Sequence, residues 1–195
     1  MKGVVVKSTG SWYIVRTESG KRYQCRIAGK IRLENRKTTN PVSVGDHVQF
    51  DADDEENGVI QKIEPRKNYI IRKSVNLSKQ AHILASNIDQ AILMVTLIFP
   101  RTSTGFIDRF LVTAEAYQIP TILIFNKKDL IDEQLRPLQE ELMHLYSLIG
   151  YPCLEISSFD TMDVIKVKEI LHNKTTLIAG HSGVGKSSLI NSIQP

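Results

Sequence analysis

One eight-residue run near the end of the chain restricts it more than any other feature: Gly180-His181-Ser182-Gly183-Val184-Gly185-Lys186-Ser187. It fits the pattern G-x-x-x-x-G-K-[ST] in full, after a β-branched stretch at 175–179 and before a helix-forming one at 186–193. Glycines let such a backbone curl so that several N–H groups point inward at phosphate oxygens, and the following helix adds its positive end. Gly180, His181, Ser182, Gly183, Val184, Gly185, Lys186, Ser187 and Ser188 are the candidate phosphate contacts. Lys186 is the candidate catalytic residue, reaching the β- and γ-phosphates, and the Ser187 hydroxyl is the candidate Mg²⁺ ligand. His181 is expected to point to solvent. This run alone does not tell ATP from GTP.

From residue 86 onward the chain alternates between apolar strands and amphipathic helices. Strands are expected at 88–97, 121–125, 153–156 and 175–179, with helices at 107–117, 132–149, 164–172 and from 186. That rhythm implies a mostly parallel sheet covered on both faces, with ligands at the carboxyl ends of its strands. Directly after the strand at 121–125 stands Asn126-Lys127-Lys128-Asp129, the pattern N-K-x-D. Guanine presents its N1–H and exocyclic amine side by side, and the Asp129 carboxylate can accept both in a charge-assisted pair. Adenine lacks the amine and would leave that carboxylate unmatched. Asn126 is expected to tie this loop to the phosphate loop, Lys127 to lay its stem over the base, and Lys128 to be the variable position. Ser157 and Ser158 end the next strand, where a short turn can offer a backbone N–H to guanine O6. The order is N-K-x-D, serine turn, phosphate loop. That is a circular permutation of the usual arrangement, tolerated because neighbours in a sheet need not follow chain order.

The first part reads differently. Short β-rich runs at 3–8, 12–17, 23–27, 47–50 and 59–63 are separated by turn signals and an acidic loop. Five such strands fit a small all-β barrel of OB type. Trp12, the single tryptophan, is expected to pack at the core or rim. Charge is uneven: residues 1–80 hold 16 Lys+Arg against 9 Asp+Glu, and the remainder 9 against 12. A basic half suggests a polyanion partner, and Lys21, Arg22, Arg26, Lys30, Arg32, Arg36 and Lys37 form the candidate RNA-binding surface. The expected division is a barrel over 1–68, a connector over 69–85 and a permuted nucleotide domain over 86–195. No run approaches a membrane span, and the N-terminus is too short and charged for a secretory signal. Two distant cysteines, Cys25 and Cys153, fit a reducing cytosol and exclude a cysteine metal site.

With these residues in place, the chain resembles the RsgA (YjeQ/YloQ) family of circularly permuted small ribosomal subunit biogenesis GTPases. The resemblance rests on residues 41–48, 85–90, 107–111, 126–130 and 180–191, and spans the whole chain. It implies a cytoplasmic, monomeric enzyme that binds GTP or GDP with Mg²⁺, meets the small subunit and its 16S rRNA during late maturation, and has no membrane partner. It also implies switch regions with a D-x-x-G motif and a C-terminal Cys/His zinc module. Neither occurs in these residues, so the α/β domain is expected to be incomplete and the chain to be the first part of a longer protein. GTP turnover by residues 1–195 is expected to be slow or absent, because the groups that order the attacking water are missing. Full-rate turnover in a phosphate-release assay would refute this. Two other readings stay open: an RNA-binding module with a non-catalytic nucleotide domain, and another permuted ribosome-assembly GTPase.

Overall fold

The computed structural model describes residues 1–34, 41–72 and 82–194. They form two compact units, Met1–Ile88 and Asp89–Pro195.

The first unit is built on strands β1 (Lys2–Ser8), β2 (Tyr13–Arg16), β3 (Arg22–Ile27), β4 (His47–Ala52) and β5 (Asn57–Ile63), with a short helix α1 (Gly29–Glu34) after β3. They close a barrel in the order β1-β2-β3-β5-β4, with β3 and β5 parallel and the other pairs antiparallel. This is the expected five-stranded OB-type barrel. Alternation decides its inside: Val5, Tyr13, Val15, Tyr23, Cys25, Phe50 and Ile60 point into the core. Burial, reinforced by Asp53, pushes the Cys25 thiol up to about 11 and makes it a buried hydrophobe rather than a nucleophile.

Residues 69–85, expected to be a connector, instead contribute β6 (Tyr69–Arg72) and β7 (His82–Ser86), an antiparallel pair within the first unit. The pair is anchored on Asp46, a fully buried carboxylate. Arg66 donates to it twice, from Nε and Nη2, each at 2.7 Å. The Ser43 N–H (2.8 Å) and the Ser86 hydroxyl (2.6 Å) complete its shell. Every oxygen of this carboxylate is therefore matched, which is what its burial requires.

The second unit is a four-stranded parallel sheet of β8 (Gln90–Val95), β9 (Thr121–Asn126), β10 (Cys153–Ile156) and β11 (Thr176–Ala179), in the order β10-β9-β8-β11. Helices α2 (Thr104–Ala116) and α3 (Arg136–Leu148) cover one face; α4 (Thr161–Leu171) and α5 (Lys186–Ile193) cover the other. All six residues of β8 are buried. Leu93 and Val95 pack with Ile107, Leu111 and Tyr146, while Ile92 and Met94 pack with Val167, Val184 and Leu189. That two-sided burial explains why the strand is continuously apolar rather than alternating. Helix ends differ from expectation where capping decides them. The α3 segment starts at Arg136 because Pro137 belongs in a first turn and Asp132 holds the preceding turn through the N–H groups of Gln134 and Leu135. The α4 segment starts at Thr161 because the Asp160 carboxylate caps the N–H groups of Met162 and Asp163. No helix among the described residues is long and apolar enough to cross a membrane.

Candidate nucleotide-binding site

The N-K-x-D loop, the serine turn and the phosphate loop each lie at the carboxyl end of a parallel strand, where a sheet of this kind opens. Asn126 is the last residue of β9, Ser157 follows β10, and Gly180 follows β11. The phosphate loop needs its glycines. Gly180 has φ 144°, and a Cβ there would stand 2.5 Å from the Met94 carbonyl oxygen. Gly185 has φ 98°, and its Cβ would meet Asn126 Nδ2 at 2.3 Å. Both positions combine a left-handed backbone with a close approach that only hydrogen permits. Lys186 opens α5 and turns its ammonium back into the loop, donating to the carbonyls of Gly180 (2.9 Å) and His181 (2.6 Å). Ser182 and Ser187 are exposed, Ser188 is half-buried, and Val184 anchors the loop in the core.

Asn126 is the joint of the site. Its Nδ2 donates to the Val184 carbonyl at 2.8 Å, across 58 residues of chain. Its Oδ1 accepts the Ser158 N–H (3.0 Å) and the Ser158 hydroxyl (2.9 Å). One buried amide thus ties the N-K-x-D loop to both the phosphate loop and the serine turn, satisfying itself as it does so. The Ser192 hydroxyl of α5 adds a bond to the Ser158 carbonyl at 3.0 Å. The result is a cleft of about 280 Å³ lined by Asn126, Lys127, Asp129, Ser158, Phe159, Gly183, Gly185 and Ser188. Asp129 is exposed at this cleft. Lys127 has a left-handed backbone (φ 69°), and its Nζ donates to the Phe99 carbonyl, so its stem is already held.

Three details escaped the sequence. The N–H groups of Ser157 and Ser158 are both occupied, by Asp163 (2.9 Å) and Asn126, whereas the Phe159 N–H is held only loosely by Ser157 Oγ at 3.4 Å. The His181 ring does not stand free in solvent but stacks on Phe106 of α2, with centroids 3.9 Å apart and planes inclined by 31°. Lys128, expected to be variable, makes an ion pair with the buried Asp163 at 2.5 Å. The Asp160 cap moves the start of α4 three residues ahead of the expected 164. The Lys128 partner was not legible, because it lies 35 residues away in the sequence.

In the first unit the expected RNA-binding residues are only partly gathered. Arg22, Gln24 and Arg26 are the exposed positions of β3, so alternation puts both arginines on the outer face of the barrel. The Arg26 guanidinium lies over the Trp12 ring at 4.6 Å, and Lys21 Nζ lies 5.0 Å from the Tyr23 ring centroid. Trp12, the residue before β2, is exposed at 36 %. Lys30 is exposed on α1. Arg32 belongs to the same helix, its side chain lying outside the described part of the molecule, and Arg36 and Lys37 lie outside the described residues.

Comparison with known proteins agrees with both units. The family model for the RsgA GTPase matches residues 63–195, and that for the RsgA N-terminal domain matches residues 2–60. The small ribosomal subunit biogenesis GTPase RsgA of Phocaeicola vulgatus is 53 % identical over 195 residues, covering all of this chain and 63 % of that protein. Its counterpart in Flavobacterium johnsoniae is 55 % identical over 198 residues, covering 100 % of this chain and 61 % of that protein. The crystal structure of YjeQ from Thermotoga maritima superposes with a TM-score of 0.80 at 39 % identity, covering 100 % of this chain and 65 % of that one. YloQ, described as a circularly permuted GTPase, gives 0.74 at 34 %, covering 100 % and 64 %. The chain therefore spans somewhat less than two thirds of the length of these relatives. Barrel, permuted motif order and sequence agree from end to end, and this chain belongs to the RsgA family.

Proposed function

We propose that this chain is the guanine-nucleotide-binding part of a GTPase, converting GTP and water to GDP and phosphate in the service of small ribosomal subunit assembly. The observation that carries the reading is the Asn126 joint, which gives Asp129, the serine turn and the phosphate loop one common cleft. In that cleft Asp129 accepts the N1–H and amine of guanine, and the Lys127 stem lies over the base. With the Ser157 and Ser158 N–H groups already bonded, the Phe159 N–H is the donor left for guanine O6.

Lys186 leaves its two loop carbonyls for the β- and γ-phosphates, and backbone N–H groups of the loop share the charge that spreads as the γ-phosphoryl departs. The Ser187 hydroxyl, exposed in the first turn of α5, is a hard oxygen donor of the kind Mg²⁺ takes alongside phosphate oxygens and water. Bound there, Mg²⁺ would supply positive charge to offset that of the phosphates. We assign no general base among these residues.

The guanine assignment is tested by titrating fluorescent GDP into wild type and Asp129→Ala. Loss of a charge-assisted pair is expected to weaken binding by about 2–3 kcal/mol, roughly 30- to 150-fold. Unchanged affinity would end the assignment and favour the non-catalytic RNA-binding module.

For the barrel we propose contact with 16S rRNA of the small subunit through Lys21, Arg22, Arg26, Lys30, Arg32, Arg36 and Lys37, by a monomeric, cytoplasmic protein. The support is the uneven charge and the shared outer face of Arg22 and Arg26. Arg22→Glu with Arg26→Glu should reduce RNA affinity and flatten its salt dependence by about one unit of slope per lost phosphate contact. An unaltered slope would move the RNA surface elsewhere.

A further inference from the structure

The cleft is held by a second bridge outside the one Asn126 makes. Asp163, in the first turn of α4, is 1 % exposed. Its Oδ2 accepts the Ser157 N–H at 2.9 Å and stands 2.5 Å from Lys128 Nζ. Lys128 Nζ also lies 3.6 Å from the Asp160 carboxylate, and Lys166 Nζ lies 3.6 Å from Asp163 Oδ1. Burial alone would push the Asp163 carboxyl up; the bonds from Lys128 and the Ser157 N–H outweigh it and hold the group below its usual range. The same ion pair raises the Lys128 ammonium above its usual value.

Position gives this pair its meaning. Lys128 is the residue before Asp129, and Ser157 the residue before Ser158. One buried carboxylate therefore fixes two loops that border one cleft. Asp129 has no hydrogen bond from its own side chain among the described residues, so its placement depends on its neighbours along the backbone. We propose that Lys128 and Asp163 are a positioning pair that aims Asp129 at the exocyclic amine of the base, and so sets the preference for guanine over purines that lack it. This rests on the reading of the cleft as a guanine site.

Inosine diphosphate differs from GDP only by that amine, and inorganic pyrophosphate has no base at all. The test measures the affinity of the 1–195 chain for all three, in wild type, Lys128→Met, Lys128→Arg, Asp163→Asn and Asp129→Ala. In Lys128→Met and Asp163→Asn the preference for GDP over IDP should fall about tenfold, towards the value of Asp129→Ala. Pyrophosphate affinity should hold, and Lys128→Arg should keep most of the preference. If Lys128→Met and Asp163→Asn keep the full preference while Asp129→Ala loses it, the pair is not a positioning device. If pyrophosphate binding falls together with GDP binding, the pair merely supports the fold and the proposal is overturned. A wild type that does not distinguish GDP from IDP overturns the guanine reading itself, and this inference with it.

Discussion

Gly185→Ala is expected to cost at least about a thousandfold in GDP affinity, roughly 4 kcal/mol, with the fold retained. Two effects coincide at this position. The backbone is left-handed at φ 98°, which costs a residue with a Cβ about 1–2 kcal/mol. The added carbon would also lie 2.3 Å from Asn126 Nδ2, far inside contact distance. The amide cannot yield without giving up its bond to the Val184 carbonyl or those to Ser158. Each escape loosens two loops at once, so one methyl group disturbs both the base side and the phosphate side of the cleft. Calorimetric titration with GDP, together with far-ultraviolet circular dichroism, checks this. Affinity within tenfold of wild type would show that the Asn126 joint is not needed for binding.

Asp46→Ala should remove about 3–4 kcal/mol from the stability of the first unit, the range for taking one partner from a buried ion pair. Asp46 is fully buried and receives four donors, two of them from Arg66, whose side chain is only 20 % exposed. Alanine leaves the Ser43 N–H without its acceptor, the Ser86 hydroxyl with only the longer bond to the Val44 carbonyl (3.3 Å), and Arg66 without its counter-charge. The β6–β7 pair would lose its anchor in the same step. Trp12, the single tryptophan, belongs to this unit, so its fluorescence during denaturation reads this unit alone. A midpoint close to that of wild type would show that Arg66 and its neighbours find other partners.

Much of the second unit was legible because its signals are local. Runs such as Ala91–Val95 and Leu123–Phe125 are buried on both faces and read as parallel strands without any knowledge of their neighbours. The three motifs could then be placed at strand ends by counting. What stayed hidden depends on partners distant in sequence. Strands β6 and β7 are four and five residues long and stand among basic side chains, and only pairing with each other and anchoring on Asp46 makes them strands. Lys128 looks interchangeable until Asp163 is beside it. The N–H groups of Ser157 and Ser158 looked available until Asp163 and Asn126 claimed them. His181 lies against Phe106, a contact between a loop and a helix 75 residues apart that no periodicity encodes.

The bond between Asn126 and Val184 also fixes a timetable for biosynthesis. Strand β8 pairs with β9 soon after both leave the ribosome, but its other edge waits for β11, whose first residue comes 86 positions after the start of β8. During that interval the most apolar strand of the unit has one unpaired side, and Asn126 has no carbonyl at position 184 to hold. The loop at 126–129 is therefore translated 58 residues ahead of the carbonyl that fastens it, and a nucleotide bound in the proposed cleft would tie α5 to the older strands of the sheet.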